Sequence, residues 1–427
     1  METKWSRTFD ALGPGSYRID DMVCMDENIY AAGTFLDAEG AAACFVANYS
    51  NKGKIIWHNT LGEPGAASIT AKRILCVPVT NEAVVSRTDI YVLYQTVRSE
   101  TDQSVGLAKF GSLGDMLWQK TIMTHAGPVT GALLPDNKGN LYVAGCHRDP
   151  ENRPTIYIGK YDDAGTTSWF TTYYNELIDY DRIDFDALET GEPVAAGTMK
   201  DRSGMFCMRF SDDGQFTGMT EHVESSEQCE LASFAVGSRD EIYLAGTVYG
   251  AATGSDILTI AIDRDGVKTW VRRFDGTAQR NDVAKAVAVD ESSHVYVCGS
   301  SENASGLRSI TTVKYDADGT VAWIATLGEM RPAEPLFVYP SRLLAAGKSG
   351  TSYFYVAGMV DDNAAIVRCN HNGVYSAYRE HGIRGGKTRP TAISGTCMAL
   401  ECLTDGHTEA RIVKFGPSAV LGIARWD

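Results

Sequence analysis

The 427-residue chain has no apolar run of about 18 residues, no C-x-x-C pair, no adjacent cysteines and only 13 prolines. Each absence excludes something. Without a long apolar run there is no membrane-spanning helix, and the start, Met1-Glu2-Thr3-Lys4-Trp5, carries no apolar signal region. Ten scattered cysteines without paired spacing read as small buried hydrophobes rather than metal or redox ligands. Free buried thiols suit a reducing compartment, so the expectation is cytoplasmic, with a periplasmic or exported protein whose signal has been removed as the alternative. The eight histidines form no H-x-x-x-H or H-E-x-x-H, and there is no G-x-S-x-G, no P-loop and no G-x-G-x-x-G at a strand–helix junction. No catalytic residue, metal ligand or cofactor site is therefore assigned. Positive charge is also scarce. The 39 Lys and Arg stand against 54 Asp and Glu, a formal charge of -15 that repels phosphate backbones and anionic lipid alike. Neither nucleic-acid binding nor membrane insertion is expected.

What the chain does have is 42 glycines, 20 tyrosines and seven tryptophans, a composition suited to many short strands joined by tight turns. These residues recur in order. Tyr161-Asp-Asp-Ala-Gly-Thr-Thr-Ser-Trp169 aligns with Tyr315-Asp-Ala-Asp-Gly-Thr-Val-Ala-Trp323, and the stretches ending at Trp57, Trp118 and Trp270 join them. Upstream lies a second signature: Leu141-Tyr-Val-Ala-Gly145, Ile242-Tyr-Leu-Ala-Gly246, Val295-Tyr-Val-Cys-Gly299 and relatives at Gly33 and Gly358. The eight aromatic or equivalent slots are Tyr49, Phe110, Tyr161, Phe210, Ile262, Tyr315, Cys369 and Phe415. The matching tryptophan slots are 5, 57, 118, 169, 218, 270, 323 and 377, with Gly218 and Ala377 eroded.

A period of about 50 residues without a helical pattern means a repeat architecture of strands. Each repeat decodes as four strands, A to D, with an Asp-x-Asp-Gly type hairpin between C and D. The expectation is one all-β domain over 1–427: an eight-bladed β-propeller of four-stranded antiparallel blades, with seven blades as the alternative. Trp5-Ser-Arg-Thr-Phe9 resembles Trp270-Val-Arg-Arg-Phe274, so the N-terminal strand is expected to finish the last blade and close the ring.

The two signatures resemble those of the bacterial β-propeller repeat family called SBBP, over nearly the whole chain. That resemblance implies an architecture and leaves activity open. The D-x-D-G-x-x-x-W pattern is also similar to the tryptophan-docking repeat of eight-bladed quinoprotein dehydrogenases. That likeness would imply a quinone, calcium and a catalytic Asp, but the adjacent-cysteine disulfide of many such enzymes has no counterpart here. As calcium loops the Asp263 and Asp316 turns lack the twelfth-position Glu, having Phe274 and Leu327 there, so they read as hairpin turns.

The strand order sets A–B and C–D turns at one end of each repeat and B–C and D–A loops at the other. The first are short and alike; the second are long and all different, and irregular loops on a regular scaffold carry function. Two features stand there. Glu329–Ser341 is Pro-stiffened and presents Phe337 and Tyr339, either as partner anchors or as blade packing. Arg379, Arg384, Lys387 and Arg389, with Arg148 and Arg153, form either a basic spot or a solvated loop, opposite the acidic stretches 179–181 and 221–230. The functional expectation is a non-enzymatic protein-interaction or scaffold propeller that binds a protein partner through this B–C/D–A face. A small-molecule-binding or quinoprotein-like enzymatic propeller with a site over the central channel is one alternative; a structural subunit of a larger assembly is another.

Overall fold

The computed structural model describes residues 3–415, apart from 26–27, 38–39, 64, 82–83, 137, 150, 152, 225, 251–253, 328–332, 341–352, 361–362, 371, 374, 382–386, 395–396 and 405–406. Every regular element among the described residues is a strand. In chain order these are β1 (Thr3–Thr8), β2 (Ser16–Met25), β3 (Asn28–Leu36), β4 (Ala42–Ser50), β5 (Ile55–Leu61), β6 (Ser68–Asn81), β7 (Val84–Val97), β8 (Gln103–Phe110), β9 (Met116–Pro135), β10 (Leu141–Arg148), β11 (Pro154–Tyr161) and β12 (Thr167–Tyr173). There follow β13 (Ile178–Ala187), β14 (Pro193–Met199), β15 (Gly204–Phe210), β16 (Phe216–Val223), β17 (Gln228–Val236), β18 (Ile242–Gly250), β19 (Gly254–Ile262), β20 (Lys268–Phe274), β21 (Asp282–Val289), β22 (Val295–Glu302), β23 (Arg308–Tyr315) and β24 (Val321–Leu327). The last are β25 (Ala333–Pro340), β26 (Tyr353–Val360), β27 (Asn363–Asn370), β28 (Tyr375–His381), β29 (Lys387–Ser394), β30 (Cys397–Thr404) and β31 (His407–Phe415).

Consecutive strands pair antiparallel into four-stranded meanders, the blade of a β-propeller. Five such sheets are separate: β13–β16, β17–β20, β21–β24, β25–β28, and β29–β31 with β1 on its outer edge. Five discrete blades thus replace the eight, or seven, expected. The other strands form one eleven-stranded sheet. Its fusion has two causes. β9 runs 20 residues unbroken, its first half pairing β8 and its second half β10, so a strand spans the corner where a D–A loop was expected. In addition, Ala42 of β4 pairs parallel with Ser68 of β6. The N-terminal strand does supply the outermost position beside β31, and the chain just beyond it bonds there too, Phe9 N–H to the Ala410 carbonyl at 3.1 Å.

The repeat signatures explain the local geometry. Strands such as β3, β4, β10, β11, β18 and β19, second and third in their meanders, are buried on both faces, whereas the outer strands β5 and β12 alternate exposed and half-buried, as a sheet edge with one wet face should. In several repeats the glycine closing V-Y-V-A-G lies opposite a bulge in the first strand. Gly33 faces Ile19, Gly246 faces Leu231 and Gly299 faces Ala284, each where the register slips by one. A Cβ on Gly299 would come 2.2 Å from the Val283 carbonyl oxygen, so only glycine fits. A second slip recurs at all seven described C–D hairpins, directly at the aromatic slot. The eroded repeats with Gly218 and Ala377 share it, so they hold the same frame.

The chain divides into two compact units. One comprises Thr8–Ser226 with His407–Ala410; the other comprises Met1–Arg7, Glu227–Gly406 and Arg411–Asp427. The division after Ser226 follows β16, whose tryptophan slot is Gly218.

Candidate functional site

The two ends of each meander do different work. At the C–D end the outer-strand tryptophans lock onto the turn of the following repeat. Trp57 Nε1 donates to the Ser112 carbonyl at 3.0 Å, Trp118 to Asp163 at 3.2 Å, Trp169 to Asp212 at 2.9 Å and Trp270 to Ala317 at 3.0 Å. In each case the acceptor lies two residues before the turn glycine, on which the indole rests. A Cβ on Gly114 or Gly319 would sit 2.7 Å from Trp57 or Trp270. Those glycines also have φ of +91° and +79°.

Beside Trp118, Trp169 and Trp323 lies a second clasp that the sequence reading missed. Tyr91 pairs across strands with Lys109, Tyr142 with Lys160 and Tyr296 with Lys314, and each ammonium stands 5.2 to 5.4 Å from its ring centroid. Lys109 is 2% exposed; its Nζ meets Asp89 at 2.8 Å and also bonds Asp163 of the next repeat. Lys160 reaches Asp136 at 3.1 Å and bonds Asp212, which also accepts the Tyr142 hydroxyl at 2.5 Å. The Lys160 bond and the Tyr142 bond hold the Asp212 carboxyl far below the usual range. Burial alone would lower Lys160, but its bonds to Asp212 and Asp136 outweigh it and raise the ammonium. Both partners are therefore fixed in their charged forms, poorly matched to proton transfer near neutrality. The cleft of about 560 Å³ beside them, lined by Asn140, Lys160, Trp169, Glu192 and Asp212, is the mouth of this clasp. The sequence signal was there to be read: a tyrosine in V-Y-V and a lysine just before the aromatic slot, at one constant spacing.

The Asp-x-Asp-Gly turns are hairpins, as expected. Asp263 Oδ1 accepts the backbone N–H groups of Asp265 at 3.0 Å and Val267 at 2.8 Å, an Asx turn in which the carboxylate serves its own loop. The cysteines are also as read. Eight of the nine described are buried and none of the nine is in a disulfide, with burial pushing the Cys207 and Cys298 thiols up to about 12.

At the B–C/D–A end the connections do not repeat. In the unit Thr8–Ser226 this end exposes apolar side chains: Tyr174 (45% exposed) and Leu177 (48%) between β12 and β13, and Val223 at the end of β16. Tyr174 lies parallel to Tyr180 with centroids 6.4 Å apart, and the Arg153 guanidinium stands 5.3 Å from the Tyr174 ring. The Leu177 carbonyl accepts the Lys200 N–H at 2.8 Å, which binds the D–A loop to the neighbouring B–C loop.

The expected partner-binding residues scatter. Phe337 and Tyr339 are not on a loop. Their backbone belongs to β25, paired with Ala357 and Tyr355. Arg379 lies in β28 opposite Ile366, Lys387 and Arg389 are exposed on β29, and Arg384 lies outside the described residues. Arg148 and Arg153 are exposed in the other unit, where Arg153 is neutralised by Asp149 at 2.7 Å and Glu151 at 3.3 Å. The basic set is thus divided between the two units.

No family model matches the chain, and neither does any curated protein, so the specific repeat family resembled by the motifs is not shown. Solved structures do match. One is the β-propeller domain of the Trilobed protease from Pyrococcus furiosus, at 10% identity, covering 94% of this chain and 96% of that one, with a TM-score of 0.44. A puromycin hydrolase matches at 10% identity over 91% of this chain, with a TM-score of 0.48; the match spans 58% of that enzyme. A eukaryotic initiation factor matches at 9% identity over 85% of this chain and 78% of that one, with a TM-score of 0.47. The class, a β-propeller of four-stranded antiparallel blades, rests on this molecule's own strand order.

Proposed function

We propose that the chain is a protein-interaction propeller that binds its partner through the B–C/D–A end of the unit Thr8–Ser226. One observation carries this reading: the asymmetry between the ends. The C–D turns share one repeated form held by tryptophan and lysine clasps, and apolar side chains such as Leu113 are exposed singly on them, whereas the opposite end carries the exposed Tyr174, Leu177 and Val223 on loops that do not repeat and that hydrogen-bond to their neighbours. An exposed tyrosine on a fixed backbone, with an arginine over its ring and aliphatic side chains nearby in the same end, is the composition of an interface anchor. The chain's charge of -15 favours a partner with a basic rim, which would be steered in by the field before the apolar contact forms. Arg153 and Tyr174 take the central place in this reading that Phe337 and Tyr339 held in the sequence analysis.

The test is site-specific photo-crosslinking in cells, with the probe at Leu177 and, as control, at Leu113 of a C–D turn, which is 85% exposed. A protein adduct at 177 that is absent at 113, and is lost when Tyr174→Ser is added, is the expected result. Equal adducts at both positions, or none at 177, would overturn the reading.

A further inference from the structure

Two buried carboxylates in the unit containing Glu227–Gly406 have no counterpart in the neighbouring blade. Asp256 lies near the start of β19, Asp275 directly follows β20, and Asp282 opens β21. One carboxylate oxygen from each lies within 4.8 Å of the others. Asp256 is 2% exposed and Asp282 1%, while Asp275 faces solvent. The registers show how unusual this is. The cross-strand row Cys229–Val248–Asp256 of one blade corresponds to Asp282–Ser301–Ser309 of the next. Where the first blade buries a thiol the second buries Asp282, and where the second buries a serine the first buries Asp256. A neutral side chain satisfies the blade at either position, so the fold does not require the carboxylates.

Their hydrogen bonding is incomplete. Asp256 Oδ2 accepts the Arg273 Nε at 2.5 Å, and the two terminal nitrogens of Arg273 go to Glu227 at 2.6 and 3.1 Å. Asp282 Oδ2 accepts the Gly276 N–H at 2.6 Å. Oδ1 of Asp256 and Oδ1 of Asp282 are both buried without a hydrogen-bond partner. The loop backbone closes on the pair, since a Cβ on Gly276 would stand 3.0 Å from Asp282 Oδ1 and 2.7 Å from the Ser301 hydroxyl. Burial first, and then Asp275 and Asp256, lift the Asp282 carboxyl above its usual range, although Ser301 and Gly276 ease it. Burial, Asp275 and Glu227 raise Asp256 even against Arg273. Like charges set side by side with buried lone pairs unmet are costly, and a cation removes the cost.

We propose that Asp256, Asp275 and Asp282 bind one hard divalent cation of the calcium class. The donors are all oxygen, which favours calcium or magnesium over thiolate- and imidazole-seeking metals. The exposed Asp275 side leaves room for the waters that complete calcium's six to eight ligands. Bound there, the ion joins β19 to both ends of the D–A loop 275–281 and so pins two consecutive blades. This inference does not depend on the partner-binding reading.

The test uses the full chain, stripped with EDTA and titrated with calcium chloride by calorimetry and by thermal unfolding. One ion per chain is expected, with the melting temperature rising by about 3 °C at roughly a hundredfold excess over Kd. Asp275→Asn, on an exposed side chain, should weaken binding by about tenfold or more. Asp282→Asn keeps an acceptor for Gly276. It should abolish the response and melt, in EDTA, no lower than the unsubstituted chain. Three results would overturn the proposal: no heat and no shift up to about 10 mM calcium or magnesium, above the range of weak sites; a calcium response that survives both substitutions; or an Asp282→Asn chain that melts well below the parent in EDTA, which would make the carboxylate a structural group.

Discussion

Lys109 shows how much of this molecule's cohesion comes from charges inside it. Its ammonium, 2% exposed, is shared between Asp89 and Asp163 under the Tyr91 ring. Removing it leaves Asp89 buried, with the half-exposed Arg87 at 3.0 Å as its remaining counter-ion among the described residues. Lys109→Met should therefore cost about 3 kcal/mol in denaturant unfolding, while adding Asp89→Leu should recover much of it, because breaking a buried pair costs more than replacing both members. Equal losses in the single and double variants would show that the pair is not a unit. None of this was foreseen from sequence. The periodic Tyr and Lys were visible, but a lysine in a strand reads as solvent-facing until its cross-strand neighbour and the next repeat's aspartate are known. The tryptophans and cysteines were legible because their burial needs no partner of particular chemistry.

At the scale of the element, the turn glycines separate two costs that a sequence cannot. Gly139 and Gly319 both have positive φ, +91° and +79°, yet a Cβ on Gly139 meets nothing within 4 Å while one on Gly319 meets Trp270 at 2.7 Å. Gly139→Ala should cost about 1 kcal/mol, the left-handed penalty alone. Gly319→Ala should cost clearly more, together with a change in Trp270 fluorescence that the other variant lacks. The same scale explains the misplaced loop. Prolines at 335 and 340 read as loop chemistry, yet the register slips between Pro335 and Phe337, as it does at Pro390 in β29. A bulge leaves a backbone N–H outside the ladder, so proline is tolerated there and the strand runs through. Strand B, the bulge glycine and the C–D hairpin were readable from their fixed spacing; the length of strand A, which lacks a motif, was not.

For the molecule as a whole, the lowered groups set the fall of stability with acid, against an opposite contribution from the raised, buried carboxyls of Asp20, Asp21, Asp256 and Asp282. Asp163 and Asp212 have carboxyls held below their unfolded values, Asp212 chiefly by Lys160, and Asp163 by Lys109 against its own burial. Their contribution is present above the ordinary carboxylate range and is lost as pH falls through the lowered folded values. Burial also lowers His147, so the unfolded chain takes up that proton first and stability begins to fall below about pH 6.5. Melting temperature should decline from neutral to acid pH, and His147→Gln should flatten the part between about pH 6.5 and 5 without altering the steeper acid limb. A decline that starts only in the carboxylate range in the parent would remove His147 from this account. The sequence by itself determined an all-β repeat of four-stranded units, their frame, and the N-terminal strand as the finishing edge of the last. Those follow from spacing, burial and turn chemistry, which are local. Only the tertiary structure decided that three of the units fuse into one eleven-stranded sheet, that lysines are clasped between repeats, and that Asp256, Asp275 and Asp282 converge. Each of these depends on which strand ends meet across different sheets or repeats, and strand pairing and side-chain convergence are non-local properties that no single repeat encodes.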